Sequence, residues 1–259
     1  MAPLQHTVLL PRVREIAWLA GAEILKFYRR DFSVREKADR SPVTEADEAA
    51  EKIIIPALQA LAPDVPVVAE EMMAGGAKVN VGDGPFWLVD PLDGTKEFVE
   101  HRDEFTVNIA LVENRRPVLG VVYVPAREET YAAAGPGTAM ASRGNRQERG
   151  IAARRPPADG VVVTASRRHG DQDQMDHLLG TMKVKETKIT GSSVKFCLIA
   201  AGEADIYPRY GNTSEWDTAA GHAVLIGAGG SVRTLDGAEL LYAKPNFLNP
   251  EFIARGVEP

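Results

Sequence analysis

The chain has 259 residues, of which 44% are hydrophobic and 25% charged. This describes an ordinary folded protein with room for one large domain or two modest lobes, and it excludes a disordered or fibrous chain. A net charge of -6 argues against a general nucleic-acid binder, although an acidic protein can still hold an anion in a local basic pocket.

The N-terminal segment "MAPLQHTVLLPRVREIAWLA" lacks a basic start before an unbroken apolar stretch, and no later run reaches the length of a membrane span. The expectation is a cytoplasmic protein with no stable membrane insertion. From about Arg12 to Tyr28, apolar residues including Val13, Ile16, Ala20, Ile24 and Phe27 recur at helical spacing. "SPVTEADEAAEKIIIPALQAL" predicts a second helix with Thr44 as N-cap, and Pro56 is expected to kink it or end its regular part. "VPVVAEE" and "PFWLVD" read as short buried strands that each end in acid, and "EFTVNIALV", "VLGVVYVP" and "ETYAAA" as successive strands. The first two of these are joined by a turn around "ENRRP". From about Met140 to Pro157 the chain turns polar and punctuated, which suggests a bridge between lobes spanning 1–150 and 151–259. In the second half "GVVVTAS" and "ADIYP" read as strands, and "DQMDHLLG", "SSVKFCLIAAG" and "SEWDTAAGHAVLIGAGG" as helices. Cys197, the only cysteine, falls in one of these apolar helical patterns and reads as a small core residue; no intrachain disulfide is possible.

Carboxylates gather at the predicted element ends. Glu70 and Glu71 follow "VPVVA", Asp90 and Asp93 frame "DPLDGT", and Asp47 and Asp217 fall in the first turns of predicted helices. Hard cations such as Mg²⁺ take oxygen ligands, whereas no histidine or cysteine cluster favours zinc. Pro91 fixes the chain between the aspartates so that the Leu92 carbonyl can turn to the same cation. Gly94 permits a tight turn whose following amides face a phosphate, and Thr95 offers a hydroxyl to water. Each pair alone also fits a solvated strand end or a turn. Thr44-x-x-Asp47 and Ser214-x-x-Asp217 also have capping-box spacing. Capping explains one acid per helix but leaves "DPLDGT" unexplained.

"VAEE", "WLVDPLDGTKEF", "DEFTVNIAL", "GSSVKFCLIA", "YPR" and "WDTAAGHAV", in this order, resemble the 3'(2'),5'-bisphosphate nucleotidase branch of the inositol monophosphatase-like superfamily. The resemblance runs from "SPVTEAD" to "FLNP". It implies an α+β chain with the layered αβαβα sugar-phosphatase fold, two lobes and an active site between them. It also implies a lithium-sensitive phosphomonoesterase of sulfur metabolism, using two or three Mg²⁺ ions. Adenosine 3',5'-bisphosphate would be hydrolysed to AMP, and 3'-phosphoadenylyl sulfate is a further candidate. The implied metal ligands are Glu70, Asp90, the Leu92 carbonyl, Asp93 and Asp217, with Asp47 helping to assemble a further site. Glu70 and Thr95, the latter supported by Asp47, match the residues that position and activate water for in-line hydrolysis.

Substrate class rests on the second-half loops. "TASRRHG" sets Ser166, Arg167, Arg168 and His169 after a strand, and "TGSSVK" sets Gly191, Ser192, Ser193 and Lys195 at a helix start, where amides and hydroxyls receive anions. Arg209 lies in "YPRY". The resemblance makes Ser166, His169, Ser192, Ser193, Lys195 and Arg209 the substrate contacts, beside Gly94, Thr95 and Asp217. The expected partner is a small-molecule phosphomonoester, a nucleotide bisphosphate rather than a nucleic-acid polymer, with a monomer or homodimer as the assembly. The rival readings are an inositol monophosphatase or broader sugar-phosphate phosphatase, and a nucleotide-responsive binding protein without turnover.

Overall fold

The computed structural model describes residues 5–29, 34–36, 42–144, 147–167, 175, 178–180 and 182–258, with side chains omitted at 34–36 and 42–43. The first helix, α1 (His6–Tyr28), starts earlier than its apolar spacing suggested and lies against α2 (Glu45–Leu61). The short strands β1 (Val34–Glu36) and β2 (Pro42–Thr44) pair between them. Pro56 does not end α2. It sits on the exposed face, where water can satisfy the carbonyl left without an amide partner.

A seven-stranded sheet follows, in the order β3 (Val67–Ala69), β4 (Phe86–Asp93), β5 (Thr106–Glu113), β6 (Arg116–Val124), β7 (Glu129–Ala133), β8 (Met140–Arg143) and β9 (Arg149–Gly150). Its pairings are antiparallel except for β3 with β4. The β5–β6 hairpin turns through Asn114 and Arg115, both at positive φ (49° and 62°), as the twist of a tight hairpin requires. The segment after Met140 is therefore not all bridge: β8 and β9 extend the sheet, with the polar β9 at its edge.

Alternation along β4 gives the sheet two buried faces. Trp87 and Val89 pack with α1 and α2, while Phe86 and Leu88 face the core shared with the second half of the chain. In that second core lie α5 (Val194–Ala200) and α6 (Ala219–Gly227), and Cys197 is fully buried there as expected. Beyond them is a five-stranded mixed sheet in the order β11 (Val184–Ile189), β10 (Val161–Ala165), β12 (Ile206–Arg209), β16 (Phe252–Arg255) and β14 (Ser231–Thr234). β13 (Thr213–Ser214) pairs separately with β15 (Leu248–Asn249). The described layers thus run helix, sheet, helix, sheet; half of "DQMDHLLG" lies outside the described residues, and the described half, 175 and 178–180, is helical as expected. No helix among the described residues is long and apolar enough to cross a membrane.

Candidate active site

Asp90 and Asp93 are three residues apart, so a regular strand would aim them at opposite faces. The β4–β5 register resolves this: Asp90 pairs with Asn108 and Asp93 with Thr106, so β4 carries one extra residue between the two pairs. Such a bulge re-aims side chains, and here it turns both aspartates toward the face shared with the second half. Pro91 fits this position because a bulge residue needs no ladder hydrogen bond. Asp90 Oδ1 accepts from the Leu92 amide at 3.0 Å, which ties the turn together. Gly94 follows at φ 89°, and a β-carbon there would press on Phe105 and Ser192 at 3.4 Å. It leads into a short helix, α4 (Thr95–Val99), whereas Glu70 and Glu71 open another, α3 (Glu70–Ala74), rather than closing β3.

A cleft of about 380 Å³ opens at this point. Glu70, Asp90, Leu92, Asp93, Gly94, Thr95, Ser166, Ser192, Lys195, Arg209 and Asp217 all line it. Glu70, Asp90 and Asp217 converge, with one oxygen from each lying within 4.8 Å of the others. Burial first, then the charges of Glu70 and Asp93, push the Asp217 carboxyl well above its ordinary range, against the Ser214 amide and Arg209. Carboxyl oxygens held this close, with no sulfur or imidazole among them, form a donor set suited to a hard cation. Asp217 is not in a first helical turn as expected. It stands in the turn before α6, held through Oδ2 by the Ser214 amide at 2.9 Å.

Asp93 connects the two halves: its Oδ2 accepts from the Ser193 amide at 2.7 Å and from Asn108 Nδ2 at 3.1 Å. Ser193 itself is buried beneath the cleft, and its hydroxyl donates to the Asp217 carbonyl at 2.8 Å. Asp47 also stands back from the surface. Its Oδ2 accepts from the Thr44 amide (2.8 Å) and hydroxyl (2.6 Å), while its Oδ1 lies 3.3 Å from the Thr95 hydroxyl. That hydroxyl is also 3.2 Å from the Leu92 carbonyl.

Two cations, Lys195 and Arg209, line the same cleft. Lys195 Nζ donates to the Ser192 carbonyl at 2.7 Å and sits over the Tyr207 ring. Burial brings its pKa down to about 8, with Asp93 pulling it up and Arg209 pushing it down. Arg209 reaches Ser166 Oγ (3.4 Å) and the Asn212 carbonyl (2.9 Å), and its Nε is buried without a partner. His169 lies outside the described residues. Three contributors escaped the sequence reading. Asn108 had a signal, an amide in the apolar run "TVNIALV". Glu104 and the paired state of Arg167 had none, because the partners are far apart in the chain.

Comparison with known proteins agrees with this architecture. The inositol monophosphatase family matches residues 7–255. The 3'(2'),5'-bisphosphate nucleotidase CysQ of Escherichia coli K12 is 44% identical over 247 residues, covering 94% of this chain and 98% of that protein. The enzyme of the same name from Buchnera aphidicola is 38% identical over 252 residues, covering 95% of this chain and 93% of that one. Among solved structures, CysQ from Bacteroides thetaiotaomicron superposes with a TM-score of 0.82 at 36% identity, covering 96% of this chain and 97% of that one. An IMPase of Thermotoga maritima gives 0.74 at 26% identity, over 93% of this chain and 89% of that one.

Proposed function

The chain belongs to the inositol monophosphatase family, and we propose that it removes the 3'-phosphate of adenosine 3',5'-bisphosphate, yielding AMP and phosphate. The observation that carries this reading is one cleft in which a convergent acidic cluster faces buried cations, in a chain 44% identical to a bisphosphate nucleotidase along nearly its whole length. The reading includes an N-terminal lobe (1–150) with the main acidic site and a C-terminal lobe (151–259) with the substrate loops and Asp217.

Glu70, Asp90, Asp93, Asp217 and the Leu92 carbonyl would hold Mg²⁺, two or three ions in all, with Asp47 supporting a further position. Bound there, Mg²⁺ offsets phosphate charge and lowers the pKa of water. The chain's own residues supply the rest. Thr95 has a single hydroxyl proton, which is committed to Asp47 or to the Leu92 carbonyl. Its oxygen lone pairs are therefore left to accept a hydrogen bond from the attacking water and orient it. Asp47 fixes that orientation from behind, and Glu70 stands at the cleft as the general base. Ser193 locks Asp93 and Asp217 into one frame, so the acids of the two halves approach the phosphate together. The second phosphate of the substrate meets Arg209, whose guanidinium charge suits an anion better than the neutral hydroxyls of a polyol. Lys195 and Ser166 stand beside it, with Gly94 and Ser192 at the phosphate being cleaved and His169 as a further contact.

Phosphate release tests the reading. With Mg²⁺ the purified protein is expected to hydrolyse adenosine 3',5'-bisphosphate with a higher kcat/KM than inositol 1-phosphate, 3'-phosphoadenylyl sulfate being assayed alongside. Chelation by EDTA should abolish turnover. A preference for inositol 1-phosphate would assign the chain to the polyol branch instead.

A further inference from the structure

Glu104 lies in the loop between α4 and β5 of the N-terminal half, away from the acidic cluster, yet it carries bonds to both substrate loops of the other half. Its carboxylate takes the Arg167 guanidinium on two oxygens, at 2.5 and 2.9 Å. The oxygen nearer Arg167 also accepts from the Gly191 amide at 2.9 Å, and the Glu104 carbonyl accepts from the Ser192 hydroxyl at 2.6 Å. Arg127 approaches from the N-terminal half at 3.5 Å. Burial raises the Glu104 carboxyl, but the bonds from Arg167 and Gly191 and the charges of Arg167 and Arg127 outweigh it and leave the group below its ordinary range. The planar fork of Arg167 matches a carboxylate, so this pair fixes direction as well as distance. Arg167 and Gly191 both line the cleft.

We propose that Glu104 is a positioning residue for substrate binding: one carboxylate clips the Ser166–Arg167 loop and the Gly191–Ser193 turn to the opposite half. The inference rests on reading the cleft as the substrate site. Ser192 is held at φ 48°, a left-handed conformation that a non-glycine side chain adopts only under local constraint, and the clip supplies that constraint. Because the Ser193 amide of the same turn binds Asp93 and the Ser192 carbonyl accepts from Lys195, a turn kept in place by Glu104 also holds Lys195 at a fixed distance from the acids.

Glu104→Gln keeps the shape but removes the charge and one acceptor. It is expected to raise KM for adenosine 3',5'-bisphosphate about tenfold or more while kcat stays within about threefold. Arg167→Met should give the same pattern, and the double variant should be no worse than the worse single variant, because the two residues act as one unit. Independently of turnover, amide exchange in a peptide containing Gly191 should quicken in Glu104→Gln while peptides from α1 exchange as in the wild type. Unchanged exchange at Gly191, additive losses in the double variant, or a fall in kcat at constant KM would each overturn the proposal. A wild type inactive on adenosine 3',5'-bisphosphate would instead defeat the nucleotidase reading, and exchange at Gly191 alone would then decide the role of Glu104.

Discussion

Asp47 reconciles two readings that its sequence context left side by side. One carboxylate oxygen completes the cap of α2 on Thr44, and the other faces the Thr95 hydroxyl, so a single side chain serves helix and site together. The capping box was legible in Thr44-x-x-Asp47; the second contact was not, since Thr95 lies 48 positions away. The two functions separate by substitution. Thr95→Val keeps the branched shape and deletes the hydroxyl, and Asp47→Asn keeps an acceptor for the Thr44 amide but removes the charge. Both are expected to lower kcat by roughly 10²-fold or more, the usual scale for losing proton-transfer machinery. Thermal denaturation should show a loss of only about 1 kcal/mol in Thr95→Val, the net worth of one hydrogen bond. Turnover near the wild-type value in both variants would remove Thr95 and Asp47 from the mechanism.

At the scale of elements, strand identity was plain in the sequence because apolar runs such as "PFWLVD" and "VLGVVYVP" have few other stable folded states. The bulge that turns Asp90 and Asp93 to one face was not, because register depends on the partner strand. Nor was β11, whose "VKETKI" is too polar to announce a strand. The approach of α6 to β6 depends on Gly120, where a β-carbon would stand 2.4 Å from the Ala220 carbonyl oxygen and 2.7 Å from Ala223 Cβ. Gly120→Ala should therefore push α6 away and cost about 1–3 kcal/mol, read as a lowered Tm. Gly150→Ala, where nothing lies within 4 Å of the new atom, should leave Tm unchanged and serves as the control. Equal Tm values for the two variants would contradict the close packing. α6 also buries His222 against the Tyr242 hydroxyl at 2.9 Å, and burial, helped by the Lys244 charge, lowers its pKa from 6.5 to about 3. The unfolded chain thus takes up this proton first as pH falls, so stability drains away from about pH 6.5 downward toward pH 3. His222 should account for about 2 kcal/mol of the stability lost between pH 7 and pH 5. Denaturation of His222→Gln over that interval should show a correspondingly shallower decline; an identical decline would show that His222 plays no part.

Across the whole molecule, the sequence disclosed the acids and the resemblance ordered them into a site, but the relation between the halves belongs to the fold. Glu70 and Asp90 lie near β3 and β4, Asp217 precedes α6, and only the packing of α6 against the seven-stranded sheet brings their oxygens within 4.8 Å. Arg209 lines the same cleft as the cluster, and the proposed function divides the substrate's two phosphates between one to be cleaved at the acids and one to be held by Arg209. The most direct test of that division is ³¹P NMR of adenosine 3',5'-bisphosphate incubated with the protein and Mg²⁺. The expected products are inorganic phosphate and AMP that retains its 5'-phosphate resonance. Accumulation of adenosine 3'-monophosphate, or an unchanged spectrum under conditions that consume inositol 1-phosphate, would contradict the account.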